Sequence, residues 1–336
     1  MVLYMSDRSR ITLFHESGTY GQVSGIGFWP GLVQSHEPEE SQNFQQIKFA
    51  GAQSRGVGQV VNGPLDFKGT IVYHPQDWRM LAFVLGSVAN AGSPTPFTHT
   101  AVPIAGPDGN RYTSGVENPF ISFQFEDHRF ASGTNQNYAR RYTGVVVDSL
   151  DIDISAGEVV TNTLNYIALS GVRGSGVAVI GSQPTVASYI RPYLWSDFSF
   201  NLPSGTRWNQ SRGGKIHFGN NFDAPHYVGS RIIGTPIRQG FDTSVTWTFD
   251  AETGVIGSMY DIYFRGGSEF NCIINGDIIN GSRDIAFTFS GCRVLEMTDP
   301  LKLEGVDTME VTFVPGSANV TIFSNDENQY WAFGSP

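Results

Sequence analysis

The chain has 336 residues, of which 15% are charged, 13% are aromatic and 39 are glycine. An average globular protein has about 25% charged residues, and this glycine- and aromatic-rich mixture favours short strands and tight turns over helices. The net charge of −10 argues against tight binding of nucleic acid through its phosphates. No stretch approaches the roughly 18 apolar residues of a membrane span, and the first residues lack a signal-peptide pattern, so we expect neither insertion nor secretion.

Alternation of apolar and polar residues predicts strands along most of the chain, because successive side chains of a strand point to opposite faces. The first predicted helix, residues 77–85, ends at Gly86, and the second, residues 251–264, ends at Gly266. The turn Asn280-Gly281 predicts that two of the strands form a hairpin. In chain order, the predicted strands are 47–50, 120–125, 145–147, 149–154, 164–169, 244–249, 270–275, 283–290, 309–314 and 319–323.

The two halves of the sequence resemble each other. An offset of 147 aligns Phe123 with Phe270, Tyr142 with Phe289 and Gly144 with Gly291, whereas an offset of 180 aligns Phe67 with Trp247 and the first helix with the second. An inserted loop at 87–118, present only in the first half, explains why the offsets differ. The pattern predicts a tandem duplication, with a first module at 1–180, a linker at 171–184 and a second module at 181–336. The predicted fold is mainly β, with two tandem β-barrel or sandwich modules, each carrying one flanking α-helix.

Motifs for catalysis or metal binding are missing from the sequence. It contains no nucleophile elbow, phosphate-binding loop or zinc-protease motif, and its seven histidines are scattered. Cys272 and Cys292 lie in apolar runs and are expected to be buried thiols. Nothing in the sequence therefore points to an enzyme, and we predict no cofactor and no metal.

Two segments carry a resemblance to a known family. The first is an extended block, Gly63-Pro64-Leu65-Asp66-Phe67-Lys68-Gly69, that leads into the helix ending at Gly86, and the second is the stretch at 142–152. With the order of the elements, they resemble the tail tube proteins of long-tailed phages and related viruses. The resemblance covers most of residues 55–170 and recurs at 240–315.

The resemblance implies stacked rings of subunits around a channel for viral DNA, which passes without tight binding. With two barrels in one chain, a ring would hold either three copies with pseudo-sixfold symmetry or six copies with extra outer domains. It further implies a place in the virion tail after assembly in the host cytoplasm. The expected partners are other copies of the chain and the tail terminator, tape measure and distal tail proteins. We expect a non-contractile, siphovirus-like tail, because a large tube subunit suits a tube without a sheath.

Candidate site residues follow from this interpretation. Acids at alternating or comparable positions would line the channel, unless they are ordinary solvent-facing acids: Asp151, Asp153, Glu296, Glu304 and Glu310. Long loops and the aromatic C-terminal arm, residues 325–336, would contact other subunits or rings, unless the arm folds back onto its own barrel. The contact candidates are Glu37, Glu39, Glu40, Phe44, Phe97, His99, Trp208, Tyr330, Trp331 and Phe333.

A different interpretation of the aromatic content is a carbohydrate- or receptor-binding decoration or fibre protein. Its sugar platforms would be built from exposed tryptophans, with Trp29, Trp195, Trp208 and Trp331 as candidates. A hydrolase on a β scaffold would instead need a clustered pair of acids, which the sequence alone does not reveal.

Overall fold

In a computed structural model, the chain forms antiparallel strands over most of its length. The structure describes residues 4–16, 23–47, 59–91, 97–103, 123–131, 137–174, 191–201, 211–251, 257–277, 285–298 and 307–324. The helical segments in this part of the chain are short: the α-helix α1 (Met80–Leu85), a 3-10 turn (Trp195–Asp197) and a π-helix (Gly257–Arg265). The prediction of a mainly β fold is confirmed.

The strands vary in length from two to nineteen residues. They are β1 (Tyr4–Glu16), β2 (Val23–Phe28), β3 (Gly31–Ile47), β4 (Gln59–Pro75), β5 (Gly86–Ala91), β6 (Phe97–Pro103), β7 (Phe123–Ala131), β8 (Asn137–Ser155), β9 (Thr161–Gly174), β10 (Phe198–Asn201), β11 (Ser211–Gly219), β12 (Phe222–Asp223), β13 (Ile237–Arg238), β14 (Asp242–Asp250), β15 (Phe270–Gly276), β16 (Ile285–Thr298), β17 (Thr308–Val314) and β18 (Ser317–Ser324).

Eight of these strands form one continuous antiparallel sheet, here called the main sheet. Their order is β3-β4-β9-β8-β11-β14-β17-β16. The first four come from the first half of the chain and the last four from the second half. The two sets meet where residues 149–155 of β8 pair with residues 213–219 of β11.

The remaining long strands extend from the N-terminal halves of β8 and β16. Residues 137–145 of β8 pair with β7, which is followed by β1 and β2. Residues 285–292 of β16 pair with β15, which is followed by β10. The opposite edge of this part of β16 pairs with β18, and β6 and β5 follow.

The core is rich in aromatic side chains from the inward faces of the strands. The Phe200 ring lies 5.5 Å from that of Trp247 and 5.2 Å from that of Phe249, measured between centroids. All six residues of α1 are buried, and the helix contacts β5, β6 and β8. Gly86 ends it in a left-handed conformation with φ 86°, as the sequence predicts.

The same ladder geometry occurs twice. Phe123 pairs with Val145 in the first half and Phe270 pairs with Cys292 in the second, so both partners differ by 147 residues. In each case the register shifts at the next pair of residues. The β8–β9 ladder shifts between residues 147 and 149, and the β16–β17 ladder shifts between residues 294 and 296. The order β3-β4-β9-β8-β7 thus corresponds to β11-β14-β17-β16-β15.

Glycine occupies one special backbone position in both halves. Gly144 and Gly291 have φ values of 62° and 63°, in the left-handed region that other residues rarely adopt. They follow the strand residues Thr143 and Ser290 and lie 147 residues apart. The shared left-handed conformation explains why Gly144 aligns with Gly291 at an offset of 147.

The offset predicted for β4 is wrong by four residues. Ile71 pairs with Leu164, and Trp247 pairs with Val311, which lies 147 residues after Leu164. Ile71 therefore corresponds to Trp247, at an offset of 176, whereas the sequence comparison had aligned Phe67. Both Ile71 and Trp247 are buried, so each half has an apolar core side chain at this position.

Three further predictions need correction. The predicted loop at 87–118 contains the β5–β6 pair, and its residues 104–118 lie outside the described part of the chain. The predicted linker begins inside β9, which continues to Gly174. Ala251 is not helical, and the first described residue of the second helix is Gly257.

Candidate assembly surfaces

The outward face of the main sheet carries charged residues where its two halves meet. Along β8, Ile152 and Ile154 are buried, whereas Asp151 and Asp153 alternate with them and point outward. On the adjacent β11, His217 stands opposite Asp151 and Lys215 stands opposite Asp153. The register therefore places acids and bases next to each other across this junction.

Asp151 is the centre of this group. Its Oδ1 lies 2.8 Å from His217 Nδ1 and 3.2 Å from Lys215 Nζ. Partial burial alone would raise the pKa of Asp151, but the hydrogen bond from His217 and the Lys215 ammonium outweigh it and hold that pKa below its usual value. The hydrogen bond to Asp151 raises the pKa of His217, although partial burial opposes the shift.

Elsewhere on this face the contacts are made by hydroxyls and amides. Thr246 Oγ1 and Thr312 Oγ1 lie 2.9 Å apart between β14 and β17. The Thr70 hydroxyl donates to Asn165 Oδ1 at 2.7 Å, and Asn165 Nδ2 donates to Ser149 Oγ at 2.9 Å. These bonds link β4, β9 and β8, so the face is hydrophilic along the main sheet without being uniformly charged.

The structure places the other predicted channel acids as follows. Asp153, Glu296 and Glu310 are exposed, and Glu310 pairs with Thr298 across the β16–β17 ladder. Glu304 lies outside the described residues. Lys215 and Lys68 occupy strands of the same sheet, so cations accompany the acids, which the sequence prediction did not foresee.

The ends of β3 and β4 form an exposed pair of strand segments, here called the β3–β4 arm, at residues 42–47 and 59–65. Its exposed apolar side chains are Phe44 (58%), Ile47 (44%), Val60 (54%) and Val61 (39%). Exposed apolar side chains gathered in one place are typical of an interaction site. Phe44 was predicted as a contact residue, whereas the two valines were missed.

A loop from the second half of the chain holds the base of the β3–β4 arm. The backbone N–H of Leu65 donates to the Arg231 carbonyl at 2.7 Å, and Arg231 Nε donates to the Gly63 carbonyl at 3.1 Å. His226 Nε2 also lies 2.8 Å from Asp66 Oδ1. The arm therefore has a defined attachment to both halves of the subunit.

The other predicted contact residues differ in accessibility. Glu37 and Glu39 are exposed, and Lys68 Nζ lies 3.4 Å from Glu39 Oε2. Glu40 is also exposed, and it accepts a hydrogen bond of 2.8 Å from the Tyr142 hydroxyl of its own chain. His99 is fully buried in β6, and burial lowers its pKa. His99 is therefore wrong as a surface candidate.

The rest of the predicted contacts cannot be placed on a surface. Phe97 begins β6, and its backbone pairs with Ser324. Four predicted aromatic contacts lie outside the described residues: Trp208, Tyr330, Trp331 and Phe333.

A buried polar cluster joins β3, β7 and β9, and it was not predicted from the sequence. His36 Nε2 lies 2.9 Å from the Tyr166 hydroxyl, and His36 Nδ1 lies 3.7 Å from Asp127. Burial raises the pKa of Tyr166 and of Tyr142, which packs beside it at a centroid distance of 6.2 Å. The residues 147 positions after these two tyrosines are phenylalanines, so the second half has an apolar core at the same place.

Two strands end the main sheet. β3 pairs with β4 on one edge, and no described strand pairs with its other edge. Residues 293–298 of β16 pair with β17, while the ladder from β16 to β15 stops at Cys292. Within the described residues, both ends of the main sheet therefore present an edge of backbone that no strand covers, a common site of strand addition.

Other kinds of site find little support in the part of the chain that the structure describes. In it, no three His, Cys, Asp or Glu residues are grouped so that they could hold a metal ion. None of its helices has the length and apolar character needed to cross a membrane. Of the proposed sugar-binding tryptophans, Trp195 is 40% exposed and Trp29 is half-buried. Trp208 and Trp331 lie outside the described residues.

Comparison with known proteins gives one match. A family model described as phage tail tube protein matches residues 19–277, which is more than three quarters of the chain. The matched segment includes the junction between β8 and β11, the β3–β4 arm and the complete set of strands from β2 to β15. No curated protein sequence matches the chain.

Proposed function

The chain belongs to the phage tail tube protein family, and on that premise we propose that its copies join edge to edge into closed rings that stack into a tube. Membership of the family makes the protein a structural component of the virion tail that assembles with itself into a tube. The observation that carries the ring proposal is the main sheet: within the described residues, no strand pairs with the outer edge of β3 or with the outer edge of residues 293–298 of β16. A sheet closed around a ring has no remaining edge.

We further propose that each chain is a tandem duplication and that three chains make a ring with pseudo-sixfold symmetry. The repeated strand order and the register shifts at corresponding residues support the duplication. Each half contributes four strands to the main sheet, so three copies would present six similar units. A ring of six copies, with half of each chain placed outside, is the alternative. It accords less well with a main sheet to which both halves contribute equally.

The outward face of the main sheet is proposed to line the channel. Its hydroxyls and amides, with exposed acids such as Asp153 and Glu310, offer DNA few cations to bind. Lys215 is engaged by Asp151, which reduces its attraction for a phosphate. DNA would therefore slide through the channel during ejection rather than bind to its wall.

The β3–β4 arm is proposed to contact the next ring of the stack. Its four exposed apolar side chains would be covered there, and burial of apolar surface contributes roughly 25 cal/mol per Å². The C-terminal residues 325–336 are proposed as a second contact between subunits. At the ends of the tube, the proposed partners are the tail terminator, tape measure and distal tail proteins. Assembly is proposed to occur in the host cytoplasm, in a tail of the non-contractile type.

Negative-stain microscopy of the purified protein tests ring and tube formation directly. We expect rings or tubes with an open centre, and a symmetry analysis of end-on views should give three chains per ring. The variant Phe44→Ser with Val60→Ser should still form rings but stack them poorly, while the matched variant Thr70→Ser on the main sheet should stack normally. A protein that stays monomeric at high concentration would refute the proposal.

Charge reversal tests the channel face. Particles that carry Asp151→Lys and Asp153→Lys should eject DNA more slowly, because the new cations would attract phosphates. Asp277→Lys is the control, since Asp277 is exposed and lies outside the main sheet. Normal ejection from the double variant would show that this face does not line the channel.

A further inference from the structure

We infer that a second copy of the chain adds its β3 to the exposed edge of β16, in the register that β11 takes on β8 within one chain. The inference rests on the proposed ring and assigns the residues that face each other between subunits. Its occupant is a second copy of the same chain. The argument for that occupant is the internal junction, which already joins corresponding strands of the two halves.

The internal junction supplies the template. Where β8 leaves its ladder with β7, its residues 149–155 pair with β11 on the same edge and with β9 on the other. Ser149 stands opposite Gly219, Leu150 opposite Phe218 and Asp151 opposite His217. With β11 beside it, Leu150 is fully buried.

The strand that corresponds to β8 is β16, residue for residue. The β7–β8 and β15–β16 ladders have the same register and the same shift, at an offset of 147. Ser149, Leu150 and Asp151 of β8 therefore correspond to Glu296, Met297 and Thr298 of β16.

The strand that corresponds to β11 is β3. Ser35 pairs with Val72 and Gly213 pairs with Thr248, and each of these ladders shifts its register at that point. Val72 and Thr248 differ by the same 176 residues as Ile71 and Trp247, so β3 and β11 correspond at an offset of 178. Glu39, Glu40 and Ser41 of β3 therefore take the places of His217, Phe218 and Gly219.

When the β8–β11 register is applied to β16 of one chain and β3 of the next, it gives the register between two copies. Glu296 of one chain would stand opposite Ser41 of the next. Met297 would stand opposite Glu40, and Thr298 would stand opposite Glu39. Strand direction is consistent with this pairing, because the eight alternating strands of the main sheet leave β16 antiparallel to the next β3.

Burial supports a missing neighbour at this edge. Met297 is only partly buried, although the corresponding Leu150 is fully buried under β11. Next to it, Leu295 is 67% exposed, which is a large value for an apolar residue in a strand. A strand laid along this edge would cover Met297 as β11 covers Leu150.

The side chains also suit the pairing. No two like charges stand directly opposite each other, which would be destabilising across a strand pair. Glu39 faces Thr298 and already has Lys68 of its own chain 3.4 Å away. Pro38, which has no N–H to donate, lies next in β3, so the added ladder would end there, beyond the three pairs.

Engineered disulfides test the register in the assembled protein. The variant Ser41→Cys with Glu296→Cys should form covalent links between chains, since directly opposed residues lie within disulfide reach. The variant Glu39→Cys with Thr298→Cys is a second, independent pair on the same face. The control Gln42→Cys with Glu296→Cys differs by one residue and points the two thiols to opposite faces. Both native cysteines are buried, so they contribute little background.

We expect each matched pair to cross-link at least about tenfold more than the control on non-reducing gels, because disulfide geometry is narrow. The ladder of covalent products should stop at three chains. Tubes that form but show no more cross-linking in the matched pairs than in the control would overturn the register and leave the proposed function standing. Failure of the unmodified protein to form rings would overturn both.

Discussion

The contact of Asp151 with His217 and Lys215 should stabilise the junction of the two halves in a pH-dependent way. The perturbation is the pair of substitutions Asp151→Asn and His217→Gln, made singly and together. A hydrogen bond to a charged group contributes roughly 1.5–3 kcal/mol when buried, whereas an exposed ion pair contributes about 0.2–1 kcal/mol. The side chains of Asp151 and His217 are 21% and 32% exposed, so we expect a coupling of about 1 kcal/mol between these limits.

The direction of the pH effect follows from the two pKa shifts. The pKa of His217 is raised in the folded protein, so its contribution is complete below its usual pKa of about 6.5 and is lost as pH rises through the raised value. The pKa of Asp151 is lowered, so its contribution is present above about pH 4 and is lost as pH falls through the lowered value. Stabilisation by the pair should therefore be greatest between about pH 4 and 6.5.

Urea unfolding of the unassembled subunit measures this coupling through a double-mutant cycle. We expect a coupling free energy of about 1 kcal/mol near pH 5.5 and a clearly smaller one at alkaline pH, because the contribution of His217 is lost as pH rises through its raised pKa. The matched control is a second double-mutant cycle, Thr246→Val with Thr312→Val. Its hydrogen bond joins two uncharged hydroxyls, so its coupling free energy should not depend on pH. An equal coupling at both pH values, or none at pH 5.5, would refute the reasoning.

Three other predictions concern stability and reactivity. Trp247→Ala should lower the free energy of unfolding by about 3–5 kcal/mol, because the side chain is fully buried. In the same urea titration, Trp195→Ala should cost less than about 1 kcal/mol. Gly214→Ala should cost about 1–3 kcal/mol, since its Cβ would lie 2.2 Å from the Thr246 carbonyl oxygen, whereas Gly240→Ala has open space and should change little. The two buried cysteines should resist iodoacetamide in the folded protein and react after unfolding in guanidinium chloride; rapid labelling of the native protein would contradict their burial.

Sequence reasoning predicted best the elements whose contacts are local. The strands from β7 to β9 follow one another along the chain, and their alternating residues and turn glycines carry enough information to fix an offset of 147. The end of α1 at Gly86 was predicted correctly for the same reason, because a left-handed glycine acts within one turn. The pairing of β15 with β16 was also confirmed.

Elements stabilised by distant partners were predicted poorly. The contact candidates Glu37, Glu39 and Glu40 were predicted to lie in a long loop, yet they lie in β3, whose partner is β4. One face of this strand is polar, and its edge carries Pro38, so alternation is hard to detect. The β5–β6 pair was predicted as a loop because its neighbour, β18, lies more than 200 residues further along the chain.

The residues of the candidate site were likewise predicted where their signal is local and missed where their partners are distant. Alternation in β8 correctly pointed Asp151 and Asp153 outward, but nothing local predicts that His217 and Lys215 stand opposite them. The alternation in Lys215-Ile216-His217-Phe218 does indicate a strand, which was overlooked. Its position beside β8 depends on the tertiary arrangement, so the mixed charge of the face could be seen only in the structure.

The proposed ring has two kinds of seam: the β8–β11 junction within a chain and the β16–β3 junction between chains. The β5–β6 pair makes them unequal, because it packs on α1 of the first half and extends the sheet of the second half through β18. It therefore links the two halves of one chain across the first kind of seam, which is here called the strapped seam. Beside the second helix, where Tyr260, Ile262 and Phe264 remain exposed, no such linking pair of strands occurs among the described residues. Around a three-chain ring, strapped and unstrapped seams would alternate. A protein that docks on the outside would then meet threefold symmetry, although the channel approximates sixfold symmetry, and a ring pulled apart would open at the unstrapped seams first.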